Sequence, residues 1–163
     1  EKKFKYRSYW EKTTSHKVLV FLEFENTKKN NMGIPLPKGK VRMYKSDGES
    51  VKFIGEDMIN HIPRNETVTV KVGNAFDVVV EEKKVDELKI AKDVREFTFE
   101  YTIKNRKKKD IVLEIQRVFS DDWKIIETSH EYEMEEARLA VFKVKVPADK
   151  EVKVTYRVRV DNS

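Results

Sequence analysis

Apolar residues recur at every second position almost from one end of the chain to the other, and helical spacing is nearly absent. That period belongs to strands with one buried face, because successive side chains on a pleated backbone point to opposite sides. Phe4, Tyr6, Ser8 and Trp10 alternate with Lys3, Lys5, Arg7 and Tyr9. Phe97, Phe99, Tyr101 and Ile103 alternate in the same way with Glu96, Thr98, Glu100 and Thr102. In the run Val18, Val20, Leu22, Phe24 the intervening Leu19 and Phe21 are apolar too, so that strand is expected to be central and covered on both sides. The pattern predicts an all-β chain.

Turn residues divide the pattern. Asn26 to Gly33 reads as a polar turn, and Pro35 and Pro37 frame an extended segment that cannot donate to a ladder at either proline, so it is expected along a sheet edge or crossing between sheets. Val41 and Met43, then Val51 and Phe53, flank Asp47-Gly48, a dipeptide suited to a tight hairpin. Val68, Val70 and Val72 form a strand that Gly73-Asn74 turns, with Phe76, Val78 and Val80 returning. Residues 82–93 carry four Lys, two Asp and two Glu, and read either as a connection between two sub-domains or as an extension of the preceding strand. Ile111, Leu113 and Ile115 follow the Asn105 to Asp110 turn, and Trp123 and Ile125 begin another strand. Ala140 to Val146 is expected to pair with Val152 to Val160 across the turn Pro147-Ala148-Asp149-Lys150. His130 to Arg138 is either a short helix or a loop. The expected architecture is two β-sandwich-like halves, residues 1–90 and residues 91–163, the second of immunoglobulin or fibronectin type.

Composition supports folding and removes several classes. The charged fraction is 39%, but 39% hydrophobic content with 9 Phe, 6 Tyr and 2 Trp is too apolar for a disordered chain. No run approaches the roughly 20 apolar residues of a membrane-spanning helix. The absence of cysteine excludes a disulfide framework, a thiolate metal site and a cysteine nucleophile, and leaves the compartment open. The chain starts at Glu1-Lys2-Lys3, which reads as a processing site or an internal boundary of a longer protein, with any export signal outside it.

A series of landmarks falls in a distinctive order: Phe24-Glu25-Asn26, Met32-Gly33-Ile34-Pro35-Leu36-Pro37, Lys38-Gly39-Lys40-Val41-Arg42-Met43-Tyr44, Asp47-Gly48, Phe53-Ile54-Gly55-Glu56-Asp57, Ile59-Asn60-His61-Ile62-Pro63 and Val72-Gly73-Asn74-Ala75-Phe76-Asp77-Val78. Asn105-Arg106-Lys107, Trp123, Val146-Pro147-Ala148-Asp149 and Val154-Thr155-Tyr156-Arg157-Val158 continue it. Over about residues 17–163 the chain resembles the C-terminal region of the bacterial family called domain of unknown function 4139. The resemblance implies an exported or envelope-associated fragment of a longer protein, and it brings no catalytic residue with it.

Candidate chemistry is sparse. The histidines are His16, His61 and His130. Glu56, Asp57 and His61 are close enough in sequence to consider for a metal, but zinc motifs of real specificity place two histidines at fixed local spacing. A turn in which Asp57 caps backbone N–H groups and His61 packs on Pro63 explains the same residues. Ser129-His130-Glu131 are adjacent, and on an extended strand adjacent side chains diverge, which speaks against a triad. No nucleophile elbow, phosphate loop or dinucleotide fingerprint is present. Carboxylate pairs Asp121-Asp122 and Glu135-Glu136 read as solvated surface.

The chain has 34 Lys and Arg against 29 Asp and Glu, a net charge of +5. Lys143, Lys145, Lys153, Arg157 and Arg159 fall on outward positions, but Glu96, Glu100, Glu114 and Glu151 fall on the same class of positions and are expected to neutralise them across strands. Arg106 to Lys109 form a basic turn, read as a soluble loop tip. Tyr9, Trp10, Phe21, Tyr44 and Tyr132 do not all fit inward registers and are candidates for a peptide or carbohydrate surface or for burial between the two sub-domains. Asn65-Glu66-Thr67 matches a glycosylation sequon and reads as a turn entering a strand.

The reading that follows is a non-catalytic, extracytoplasmic β-module with a structural or protein-interaction role. Its expected partner is another protein or the remainder of its own longer chain. No catalytic, cofactor-binding or metal residue is assigned, no cofactor is expected, and neither nucleic acid nor a membrane span enters. A strand-addition route is open through Phe4 to Trp10. The rival reading is a carbohydrate-binding or carbohydrate-active domain with a loop-assembled site, which a row of flat exposed aromatics or a cleft with two carboxylates would favour.

Overall fold

The computed structural model describes residues 2–10, 17–120 and 122–162, with side chains at all of these except 2 and 8–10. His16 and Asp121, and the side chains of Tyr9 and Trp10, lie outside the described residues. The fold is all-β. Its strands are β1 (Lys2–Trp10), β2 (Val18–Glu25), β3 (Gly39–Ser46), β4 (Val51–Ile59), β5 (Thr67–Ala75), β6 (Val78–Lys89), β7 (Val94–Asn105), β8 (Ile111–Val118), β9 (Trp123–Thr128), β10 (Tyr132–Glu136), β11 (Leu139–Val146) and β12 (Glu151–Asp161). Among the described residues one 3-10 turn, Lys28–Asn30, interrupts the series. Among the described residues no helix is long and apolar enough to cross a membrane.

The chain forms two compact units, one of residues 1–6 and 19–74 and the other of residues 7–18 and 75–163. The charged stretch of residues 82–93, which reads in the sequence as a connection or as an extension of the preceding strand, lies inside the second unit, and through Lys89 it is the extension. The reason is β6, which runs unbroken through the charged stretch to Lys89 and pairs with β7 from Val78↔Asn105 to Lys89↔Arg95. A bulge between Lys84 and Asp86 absorbs the irregular pattern there.

In the first unit β2 lies between β1 and β5, as expected of a central strand, and Lys5 of β1 pairs with Glu23 of β2 at 2.8 Å. β3 and β4 form the hairpin expected around Asp47-Gly48. The Asp47 carboxylate accepts the N–H groups of Glu49 and Ser50, and these hold its pKa below the usual carboxylate range. The buried core is Met43, Val68 and Val70, with Leu22, Phe24 and Ile54 packed around it. The proline segment makes a single bridge, Leu36 to Ile62, and no strand. Asn26, fully buried, fastens the loops at this end: its amide donates to the carbonyls of Ile34 (2.7 Å) and Pro63 (3.0 Å), and its Oδ1 accepts from Gly33 N–H (3.0 Å). Gly33 is required there, because at φ +92° a Cβ would meet the Lys28 backbone nitrogen at 2.8 Å.

In the second unit the sheet order is β6-β7-β12-β9 for one sheet, and β10, β11 and β8 follow one another in another. β1 enters this unit with Arg7, whose Nε and Nη2 donate to Glu114 of β8 at 3.1 and 3.0 Å. β1 is thus paired within its own chain. Two expectations change here. β11 and β12 do not form a hairpin: β11 pairs with β8 and β10, β12 pairs with β7 and β9, and the Pro147 to Lys150 turn carries the chain from one sheet to the other. Their apolar faces meet instead, with the rings of Phe142 and Tyr156 5.7 Å apart. Residues 132–136 are a strand and not a helix, because β10 pairs with β11 from Tyr132↔Phe142 to Glu136↔Leu139, and an edge strand accepts charged side chains.

The third change concerns the end of β5. Gly73 and Asn74 remain in the strand, and the chain turns at Phe76-Asp77, so Phe76 lies in the turn with 96% of its surface exposed.

Candidate functional site

Four exposed large apolar side chains of the first unit, Tyr44, Val51, Phe53 and Met58, share one face of the β3–β4 hairpin, while Phe4 and Ile34 are exposed elsewhere in the unit. A bulge sets it. Met43 pairs with Gly55 and Tyr44 with Phe53, so Ile54 is an extra residue on β4 and both Ile54 and Gly55 turn inward. Beyond the bulge the face reverses. Val51 and Phe53 point outward with Tyr44 and Ser46, opposite to the inward Val41 and Met43. The inward position at Gly55 has no room for a side chain, since a Cβ would lie 2.5 Å from the carbonyl oxygen of Val72 on β5.

The outward face therefore carries Tyr44 and Phe53, 55% and 56% exposed, with Val51 at the tip end and Met58 at the other. The two rings meet edge to face, with centroids 5.7 Å apart and planes at 65°. Between them and Met58, Glu56 accepts from Lys40 Nζ at 3.1 Å and lies 3.5 Å from Arg42 Nε. The hydrogen bond from Lys40 is the main reason that the Glu56 carboxyl titrates below its ordinary range.

The Glu56, Asp57 and His61 set does not converge on a metal. Glu56 belongs to the two cations, the Asp57 carboxylate accepts backbone N–H groups of Met58 (2.9 Å) and Lys71 (2.7 Å), and His61 Nδ1 accepts from Lys38 N–H (3.3 Å). Among the described residues no group of three or more His, Cys, Asp or Glu side chains is arranged to hold a metal ion.

Ser129 and His130 do meet, against the expectation that neighbours diverge. They occupy a bend after β9, not an extended strand, and Ser129 Oγ lies 2.8 Å from His130 Nδ1. Ser129 Oγ also accepts the Thr155 N–H at 2.8 Å. The hydroxyl thereby replaces a ladder acceptor for β12 where β9 has ended. A groove of about 600 Å³ opens beside this bend, lined by His130, Glu131, Tyr132 and Lys143 among others.

The second unit also holds a row of near-parallel rings: Phe97 and Phe99 on Trp123 at 15° and 20°, and Phe99 and Tyr101 on Tyr156 at 23° and 27°. The row runs from the core outward: Tyr101 and Tyr156 are at most 1% exposed, whereas Phe97, Phe99 and Trp123 are half-buried. The other face of the same sheet carries the expected opposite charges. Arg159 donates to Glu96 at 2.6 and 3.0 Å, Lys153 to Glu100 at 3.0 Å, and Arg157 lies 3.5 Å from Glu127. Of the other aromatic candidates, Phe21 is half-buried, as is Tyr132, which packs on Phe142.

No family model, curated protein or solved structure matches the chain. Tyr44 was legible as an outward aromatic. Phe53 was missed, because only the bulge at Ile54 turns it out of the core.

Proposed function

We propose that the protein is a non-catalytic β-module that binds a protein partner through the outward face of the β3–β4 hairpin. The observation that carries this is the Tyr44–Phe53 pair: two large rings, each more than half exposed, held in register by a backbone ladder on a hairpin anchored through Met43 and Ile54. Preorganised aromatics of this kind are the usual centres of protein interfaces, and the ion-paired Lys40, Glu56 and Arg42 beside them suit a polar rim. Rings crossed at 65° offer a cleft for side chains, whereas stacking on a sugar calls for an open flat face. The commitment of the Ser129 hydroxyl to the β12 backbone supports the non-catalytic part of the reading. An extracytoplasmic setting, membership in the family of domain of unknown function 4139 and sandwich-like packing of the strands belong to the same proposal, the first two resting on the landmarks quoted above.

A photo-crosslinking residue at position 53 tests it in an extract of the source cells. The expected result is a cross-link to a discrete polypeptide from position 53 and none from the exposed control position Val112. The groove beside His130 and Tyr132 favours the glycan reading instead, and a thermal stabilisation by a glycan that is abolished by Tyr132→Ala would establish that reading.

A further inference from the structure

We propose that the tip of the second unit around Phe76 docks on an anionic lipid surface. The inference is independent of the β3–β4 face, which belongs to the other unit. Three turns form one hydrogen-bonded block at this tip. The Phe76-Asp77 turn is joined to the β7–β8 turn by Arg106 N–H donating to the Asp77 carbonyl at 2.7 Å and by Lys107 Nζ on the Asp77 carboxylate at 2.9 Å. Asn105, fully buried, binds the β7–β8 turn to the β11–β12 turn: its amide donates to Lys109 O (2.9 Å), Val146 O (3.1 Å) and Pro147 O (3.2 Å), while Oδ1 accepts from Lys107 N–H (2.9 Å). Asp149 N–H closes the block on Lys107 O at 3.0 Å.

From this rigid base Phe76 projects with 96% of its surface in solvent, the highest exposure among the large apolar side chains described. The three joined turns carry Arg106, Lys107, Lys108, Lys109 and Lys150 against Asp77, Asp110 and Asp149. The carboxylates are engaged within the block: Asp77 holds Lys107, Asp110 accepts Ala148 N–H at 2.8 Å, and Asp149 lies 4.0 Å from Arg106. The tip therefore presents one apolar ring on a block of turns with a net positive charge. An aromatic ring enters the headgroup layer of a bilayer, and each basic side chain near an anionic leaflet is worth roughly fivefold in partitioning. Neither contact needs shape complementarity, which suits a projecting tip. Single-stranded nucleic acid would call for a basic track with successive stacking rings, and the neighbouring sheet face is laced with opposite charges.

Co-sedimentation with vesicles of phosphatidylcholine, with and without phosphatidylserine, tests this on the whole chain. The expected result is binding to the phosphatidylserine vesicles alone, weakened by added salt, reduced about tenfold by Phe76→Ser and more than about tenfold by Arg106→Gln with Lys108→Gln. The melting temperature of Phe76→Ser should match the wild type, because the ring packs on little. Absence of binding, equal binding to both vesicle types, or binding indifferent to Phe76→Ser would overturn the proposal. So would Phe76-dependent binding to a single-stranded oligonucleotide at the same salt in place of the vesicles.

Discussion

Tyr44 stands directly opposite Phe53 across the β3–β4 ladder, and their rings cross edge to face at 5.7 Å with more than half of each ring in solvent. The pair exists because Ile54 is an extra residue on its strand. Without that bulge Phe53 would face the core beside Met43, and the hairpin would have no outward aromatic cluster.

The bulge makes Gly55 indispensable. Gly55→Ala places a methyl 2.5 Å from the Val72 carbonyl oxygen, a backbone atom that cannot move aside without disturbing β5. The substitution should cost about 1–3 kcal/mol, read as a lowered urea midpoint. Gly39→Ala, where nothing lies within 4 Å of the added methyl, should leave the midpoint nearly unchanged.

Asn105 should be among the most sensitive polar positions in the second unit. Asn105→Ala strands three carbonyls and one N–H that its side chain satisfies, for a loss of about 2–4 kcal/mol in chemical denaturation. Faster amide exchange at Lys107 and Asp149 should accompany it, since those N–H groups lie in the block that Asn105 holds.

A buried ion pair joins β6 to β8. Arg117, 7% exposed at its side chain, lies 3.6 Å from Glu82 and over the rings of Phe99 and Phe119, and its Nε is without a partner. Arg117→Met alone leaves the Glu82 carboxylate without its cation and with the Tyr156 hydroxyl, 3.4 Å away, as a neutral donor, and should cost roughly 3–5 kcal/mol, while Glu82→Leu with Arg117→Met should recover most of the loss. A thermodynamic double-mutant cycle measures both. Equal losses in the single and the paired variant would refute the account of the pair.

Tyr101 and Tyr156 set an alkaline limit. Burial, the first cause for each, raises both phenol pKa values above the ordinary 10.0. A raised folded pKa leaves stability intact below the unfolded value and removes it as pH rises, because the unfolded chain then releases protons that the folded chain retains. Stability should therefore fall above about pH 10, by roughly 1.4 kcal/mol per pH unit for each buried tyrosine. In Tyr156→Phe the slope should be shallower by one proton.

The period of two made nearly every strand legible, because burial of one face leaves a direct mark on the order of residues. Strand partnership left no such mark. The chain through Pro147 to Lys150 reads as a hairpin, but β12 pairs with β7, with Arg159 on Glu96, and the same short turn crosses between sheets. Phe76 looked like a strand residue because it keeps the period of Val78 and Val80, yet the turn falls on it. Ser129 and His130 meet because the chain bends there, a feature that adjacency in sequence does not encode. The ion pairs on the outer sheet face were legible in kind, since alternating Glu and Arg positions on neighbouring strands can only neutralise one another.

The most direct test of the interaction reading compares immobilised wild-type protein with Tyr44→Ala/Phe53→Ala in a source-cell extract. Losing the exposed pair should change stability by only roughly 0.2–1 kcal/mol, so both proteins are folded in the comparison. The account predicts that the polypeptide cross-linked from position 53 is retained by the wild type and by Val112→Ser, and is lost from the double variant. Equal retention by all three proteins would contradict it.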